Sequence, residues 1–255
     1  MSKIQDAFKN CKAFIPFITC GDPDLETTGK LVRAMAAAGA DIIELGIPFS
    51  DPTAEGPTIQ GANLRALSGG VTTDKIFDFV RTLKDVNVPL VFMTYANVVF
   101  SYGIERFAAA CAETGISGLI LPDVPHEEKE EFAPIFRAKG IDFISLIAPT
   151  SDQRIAEIAK DAEGFIYIVS SLGVTGVRSE IRTDLAAVTE QIRKYTDIPC
   201  AIGFGISTPE QAAKMAKIAD GCIVGSAIVK QIAEHKTASA EPVAAYVRSM
   251  KAAMQ

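Results

Sequence analysis

Glu44 stands inside an apolar run, DIIELGI at 41–47, with Ile42, Ile43 and Leu45 around it. A carboxylate there is costly unless it reaches water or takes up a proton. Burial raises the pKa of an acid toward neutrality, which suits a group that must both give and take protons. A structural glutamate bonded to a neighbouring strand is the other reading. The next stretch, PFSDPTAEGP at 48–57, adds Asp51 and Glu55 and contains Pro48, Pro52 and Pro57. Proline fixes φ, so these acids are presented from a restricted backbone rather than a free tether. For Asp51, an ordinary solvent-facing acid is the plainer reading.

A second chemistry is suggested by GFGIS at 203–207 and IVGSAIV at 223–229. Glycines let backbone N–H groups approach a ligand, and a helix starting near Ser226 aims its positive end at an anion. This reads as a phosphate site, or as tight turns and nothing more. Neither loop has a lysine or arginine, so a phosphate would be held by backbone dipoles and Ser226. SSLGVTGVRSE at 170–180 reads as a lid hinged at Gly173 and Gly176, or as a passive surface loop.

Positioning these residues falls to eight apolar runs, expected as strands at 13–19, 41–47, 89–94, 117–123, 142–148, 165–171, 199–205 and 220–226. Between them lie segments with apolar residues three and four apart, such as Ile76, Phe79, Val80 and Leu83. Continuous apolar strands alternating with helices call for a parallel sheet covered by helices, and eight units favour a closed (β/α)8 barrel. Thr208-Pro209-Glu210 and Ser151-Asp152 read as helix starts, and Gly39, Gly115 and Gly140 as left-handed stops. An extra N-terminal helix puts Ile4 and Phe8 on one face, placed to plug the barrel floor, and 241–254 reads as a final helix. With no Ser- or Pro-rich linker, residues 1–255 are expected to form a single domain. In such a barrel the site lies where strands end, at the residues already named.

Composition narrows the partners. Of 255 residues, 48% are hydrophobic and 22% charged, with a net charge of −6 and no basic run, against a nucleic-acid or anionic-membrane surface. The polar opening MSKIQDAFKNCK predicts no signal or transit peptide, and no apolar run is long enough to span a membrane. Five cysteines without a C-x-x-C pair read as reduced thiols of a cytoplasmic protein. His126 and His235 have no second ligand at suitable spacing, so no zinc or iron site is expected.

FIPFITCGDPD, ELGIPFSDPTAEGPTIQ, MTYAN, LPDVP, SSLGVTG, GFGIS and IVGSAIV occur in the order found in tryptophan synthase alpha subunits, which the whole chain resembles. The resemblance implies a TIM barrel that cleaves indole-3-glycerol phosphate to indole and glyceraldehyde 3-phosphate without metal or cofactor. It puts the proton donor and acceptor at Glu44 and the acid that contacts the indole N–H at Glu55. Substrate contacts fall on Phe17, Tyr95, Tyr167, Thr175 and Phe204, and phosphate contacts on Gly176, Gly205, Gly225 and Ser226. It also implies an alpha2beta2 assembly whose beta subunit carries pyridoxal phosphate and receives the indole, with the loops after strands two and six and the Asp123 turn facing it. Many relatives read PLADG where this chain has PTAEG, so Glu55 replaces an aspartate and Thr53 a leucine; Ser171 stands where some carry an arginine. A stand-alone indole-3-glycerol phosphate lyase and a weakly catalytic activator of the beta subunit remain alternatives. A phosphate-sugar epimerase lacks support without a metal-binding histidine cluster.

Overall fold

Side chains alternate in direction along a strand, so a run that is apolar throughout can bury both faces. The structure, a computed structural model, describes residues 2–149, 152–169, 184–203 and 205–255. Its strands are β1 (Ala13–Thr19), β2 (Ile43–Gly46), β3 (Leu90–Met93), β4 (Gly118–Ile120), β5 (Asp142–Phe143), β6 (Ser145–Ile147), β7 (Ile166–Val169), β8 (Cys200–Gly203) and β9 (Gly221–Val224). All pairings are parallel, in the order β5-β4-β3-β2-β1-β9-β8-β7-β6.

The run at 142–148, expected as one strand, is divided at Ile144. β5 pairs with β4 and β6 with β7, so the sheet begins and ends on neighbouring stretches of the same chain. The Ile144 N–H still donates to the Leu119 carbonyl at 2.9 Å. The chain itself thus joins the two edges, and nine short strands make the eight staves of a TIM barrel.

Two apolar clusters separate inside from outside. Phe14, Ile18, Ile43, Leu45, Phe92 and Leu119 point outward into the layer beneath the helices. Ala13, Ile15, Phe17, Val91, Met93, Tyr167 and Ile223 point into the barrel. Ile4 and Phe8 join the inner cluster from below, as the expected plug. The helix that brings them is one turn, Lys3–Asp6, closed by a capping box between Ser2 and Gln5. A Cβ on Gly118 would fall 2.7 Å from Ile4 Cδ1, and one on Gly221 would fall 3.1 Å from Phe8 Cε1. Bare backbone at these two points makes the space that the plug fills.

Helix boundaries follow local signals. Thr208 and Gln211 form a capping box, and Gly39, Gly115 and Gly140 have φ of 101°, 80° and 74°. The segment EEKEEFAPIFRAKG is divided, with a 3-10 turn at His126–Glu131 and a short helix at Ala133–Arg137. Pro134 lacks the N–H needed to continue the preceding turns. A helix absent from the sequence-based expectation, Pro57–Ser68, follows the acidic loop, with Pro57 at its first turn.

Truncating the plug should loosen the floor without touching the mouth. Ile4→Ala is expected to lower unfolding free energy by about 2–5 kcal/mol. Urea unfolding followed by circular dichroism would measure it, and a loss well below that range would show that Ile4 does not seal the barrel.

Candidate active site

Parallel pairing places Glu44 beside Phe17 of β1 and Val91 of β3. Both neighbours point into the barrel, so Glu44 does too, and it is 1% exposed. Its Oε2 atom is buried without a hydrogen-bond partner among the described residues. The alternative of a structural glutamate satisfied by the next strand leaves that oxygen unexplained.

Glu55 reaches the same space from the loop. It is 8% exposed, and the helix behind it holds it at two points. Gln60 Nε2 donates to the Glu55 carbonyl at 2.7 Å, and Asn63 Nδ2 donates to Glu55 Oε2 at 2.6 Å. That helix is fixed to the turn after β1 by Arg65, whose Nε and Nη2 each donate at 2.8 Å to the buried Asp22 carboxylate. A bidentate pair of this kind sets orientation as well as distance. The loop also leans on Tyr95, whose hydroxyl accepts the Ala54 N–H at 3.0 Å and whose ring lies 5.3 Å from that of Phe49. Asp51 is exposed and accepts from Ser50, as its plainer reading suggests.

A cavity lies at the barrel mouth. Phe17, Ile59, Met93, Tyr167, Ile206 and Ile223 give it apolar walls, Glu44 and Glu55 its acids, and Gly205, Gly225 and Ser226 a glycine-rich rim. Of the residues expected from sequence, these bring together Glu44, Glu55, Phe17, Tyr167, Gly205, Gly225 and Ser226. Tyr95 does not line the cavity; it stands behind the Glu55 loop as its support. Thr175, Gly176 and Phe204 lie outside the described residues, as do Ser171 and Gly173.

The rim glycines have more than one physical use. A Cβ on Gly225 would come within 3.2 Å of Phe17 Cδ1, and one on Gly203 within 2.6 Å of Tyr167 Cζ. These positions therefore make room for the aromatic walls. Gly205 has φ +79°, which a side chain would resist. The helix Ser226–His235 starts at Gly225 with no side-chain cap, leaving its first turn toward the cavity rim. Among the described residues no cation lines this rim, so an anion there would meet backbone N–H groups, the helix dipole and Ser226.

Burial sets the electrostatics. Loss of water drives Glu44 up from an ordinary 4.5 to about 8, and the charge of Glu55 adds to the shift. Burial also lifts Glu55 to about 7, while the Asn63 hydrogen bond pulls it back down. Burial, then the Glu44 charge, pushes the Tyr167 hydroxyl well above 10.0. The two acids are thus unlike: one is neutral at pH 7 with a free oxygen, the other is readily ionised on an amide donor.

Sequence reasoning did not single out Asn63, Gln60, Ile59, Met93, Ile206 and Ile223. For Met93 and Ile223 the signal was available, since strand alternation turns them inward with their neighbours. Asn63 sits between Ala62 and Ala66 on the buried face of its helix, a polar residue in an apolar stripe.

A raised carboxyl pKa has a stability cost of known sign. Native Glu44 keeps its proton up to about pH 8 while the unfolded chain releases it near 4.5, so stability falls as pH rises between them. Glu44→Gln, which cannot ionise, should be more stable than the native chain by on the order of 3 kcal/mol at about pH 8 and by little at about pH 5. Denaturant melts at the two pH values decide it; an equal difference at both would mean Glu44 is ionised in the folded state.

A family model described as tryptophan synthase alpha chain matches residues 4–255. Tryptophan synthase alpha chains from Lacticaseibacillus casei and Lactiplantibacillus plantarum are 52% and 51% identical over all of this chain, covering 96% and 97% of those proteins. The solved tryptophan synthase of Mycobacterium tuberculosis superposes with a TM-score of 0.91 at 33% identity, over 99% of this chain and 98% of that one. The alpha chain from Legionella pneumophila gives 0.89 at 35% identity, over 100% of this chain and 97% of that one. With a family match over nearly its full length and relatives above half identity, the chain belongs to the tryptophan synthase alpha chain family.

Proposed function

We propose that the cavity at the barrel mouth performs the family's lyase reaction, retro-aldol cleavage of indole-3-glycerol phosphate, with Glu44 and Glu55 dividing the proton chemistry. The observation that supports this most directly is the pair of buried carboxyls of unlike surroundings in one apolar cavity with a glycine rim. Glu44, neutral near pH 7, gives its proton to the indole carbon bearing the side chain. That carbon becomes tetrahedral and the ring an iminium cation, whose N–H is held by ionised Glu55. Glu44, now a carboxylate, takes the proton from the adjacent hydroxyl. A carbonyl forms, the carbon–carbon bond breaks, and its electron pair returns to the ring. Glu44 ends with the proton it began with, and the products are indole and glyceraldehyde 3-phosphate. The protonated ring is the electron sink, so the step asks for no cofactor in this chain.

Phe17, Tyr167 and Met93 suit the flat indole, and Gly205, Gly225 and Ser226 suit the phosphate, which fixes the register of the bond to be broken. Tyr95 acts through the loop. Thr175, Gly176 and Phe204 keep the substrate contacts that the resemblance implies. Glu55 lining the cavity beside Glu44 favours a working acid over a chain kept only to activate a partner. Residues 1–255 act as one domain in this reading. The chain is placed in an alpha2beta2 assembly whose beta subunit carries pyridoxal phosphate and receives the indole. Five free cysteines, four of them buried, favour a reducing compartment such as the cytoplasm.

Cleavage needs Glu44 protonated and Glu55 ionised, so kcat/KM for indole release should be bell-shaped. The acid limb lies near 7 and the alkaline limb near 8, as apparent values of the coupled pair. Glu44→Gln should lower kcat by roughly 10²–10⁴-fold, and Glu55→Gln by roughly 10²-fold. Indole release measured with the purified chain tests all three; unchanged rates in Glu55→Gln would remove that residue from the mechanism. Added beta subunit should raise the rate and shift the chain to a larger species on size-exclusion chromatography.

A further inference from the structure

A hydrogen bond to one of the two cavity carboxyls comes from a side chain with no part in the reaction as written. Asn63 is 4% exposed on the helix Pro57–Ser68, flanked on its buried face by Ile59, Ala62 and Ala66. Asparagine is a poor choice for a helix interior and costly in an apolar stripe unless its amide is used. Its Nδ2 is used on Glu55 Oε2, at 2.6 Å. Gln60, one turn earlier, holds the Glu55 carbonyl, so the backbone and the carboxylate of one loop residue are fixed by one helix. The Arg65–Asp22 pair on that helix supplies the rigid base. Glu55 is a long side chain with more rotamers than a shorter acid, so a fixed donor has more freedom to remove.

We propose that Asn63 is the positioning residue of the active site, selecting the one rotamer of Glu55 that meets the substrate and holding its carboxylate in the ionised form. The inference rests on the proposed role of Glu55. A neutral amide N–H can only donate, so it favours the carboxylate over the carboxylic acid. The titratable groups facing Glu55 work the other way. Glu44 on β2 is a second acid, and Tyr95, behind the loop, is a neutral phenol whose pKa burial pushes up to about 12. No arginine or lysine lines the cavity among the described residues, since Arg65 is turned away onto Asp22. Asn63 thus adds to what the deeper burial of Glu44 begins, widening the difference between the two acids in their readiness to ionise.

The test uses the purified full chain and indole release from indole-3-glycerol phosphate across pH. Asn63→Leu has nearly the same size and no donor. It should lower kcat/KM about tenfold near neutral pH and move the acid limb upward by about one pH unit, the shift expected from losing a hydrogen bond to a charge. Asn63→Gln, which restores a donor, should bring back most of the limb position. In a Glu55→Gln background, Asn63→Leu should change nothing further, because its effect passes through the ionised carboxylate. An unmoved acid limb in Asn63→Leu, or an equal loss in the Glu55→Gln background, would overturn the proposal and leave Asn63 as packing. If Glu55→Gln itself is fully active, the reading of Glu55 fails first, which is a different result. Circular dichroism and thermal melting of each variant separate these outcomes from misfolding.

Discussion

The structure turns on one constraint: a carboxyl group must sit inside the barrel with one oxygen, Oε2, unpartnered among the described residues. Parallel pairing of β2 with β1 and β3 puts Glu44 in the same layer as Phe17 and Val91, and strand geometry then gives its side chain nowhere to point but inward. Burial disfavours the charged form, and the group keeps its proton near neutral pH. Polar groups this deep are normally satisfied. The Oε2 atom, without a partner among the described residues, marks a place where the fold accepts a cost, as functional sites do.

Much of the surrounding architecture serves that cavity. Ile4 and Phe8 seal the floor against bare backbone at Gly118 and Gly221. Higher up, Gly203 and Gly225 are open beside Tyr167 and Phe17, so aromatic walls fit inside a ring of eight staves that would otherwise be filled. The split of one stave at Ile144 lets each half follow its own neighbour while the ring remains closed. The same cavity then offers an apolar slot, two acids and an uncapped helix start, which in the proposed function meet the indole, the reacting bond and the phosphate of the substrate.

The second acid is built differently. Glu55 comes from a loop, where backbone freedom works against placing a reactive group to within a fraction of an ångström. Three supports compensate: the Tyr95 hydroxyl under Ala54, Gln60 on the carbonyl, and Asn63 on the carboxylate. Gln60 and Asn63 thus let the helix behind the loop take hold of a long acidic side chain at its backbone and its carboxylate.

The sequence by itself determined the class of fold, since apolar runs alternating with helical periods leave a parallel barrel as the way to bury both faces of eight strands. It also pointed to where the chemistry is proposed to lie. Glu44 in an apolar strand violates a local rule, and the glycines of GFGIS and IVGSAIV cluster at strand ends. Tertiary structure decided what depends on contacts between distant residues. Tyr95 supports a loop rather than lining the cavity, because its hydroxyl meets Ala54 across a chain separation that no local pattern encodes. Gly203 and Gly225 serve the rings of Tyr167 and Phe17, which come from other strands. The division of the fifth stave follows from the competing registers of β4 and β7. Asn63 could be flagged in sequence as a polar residue on an apolar face, but its partner became visible only when the loop folded back onto its own helix. Periodicity is a property of neighbours along the chain, whereas the ionisation and aim of a buried acid belong to whatever the fold packs around it.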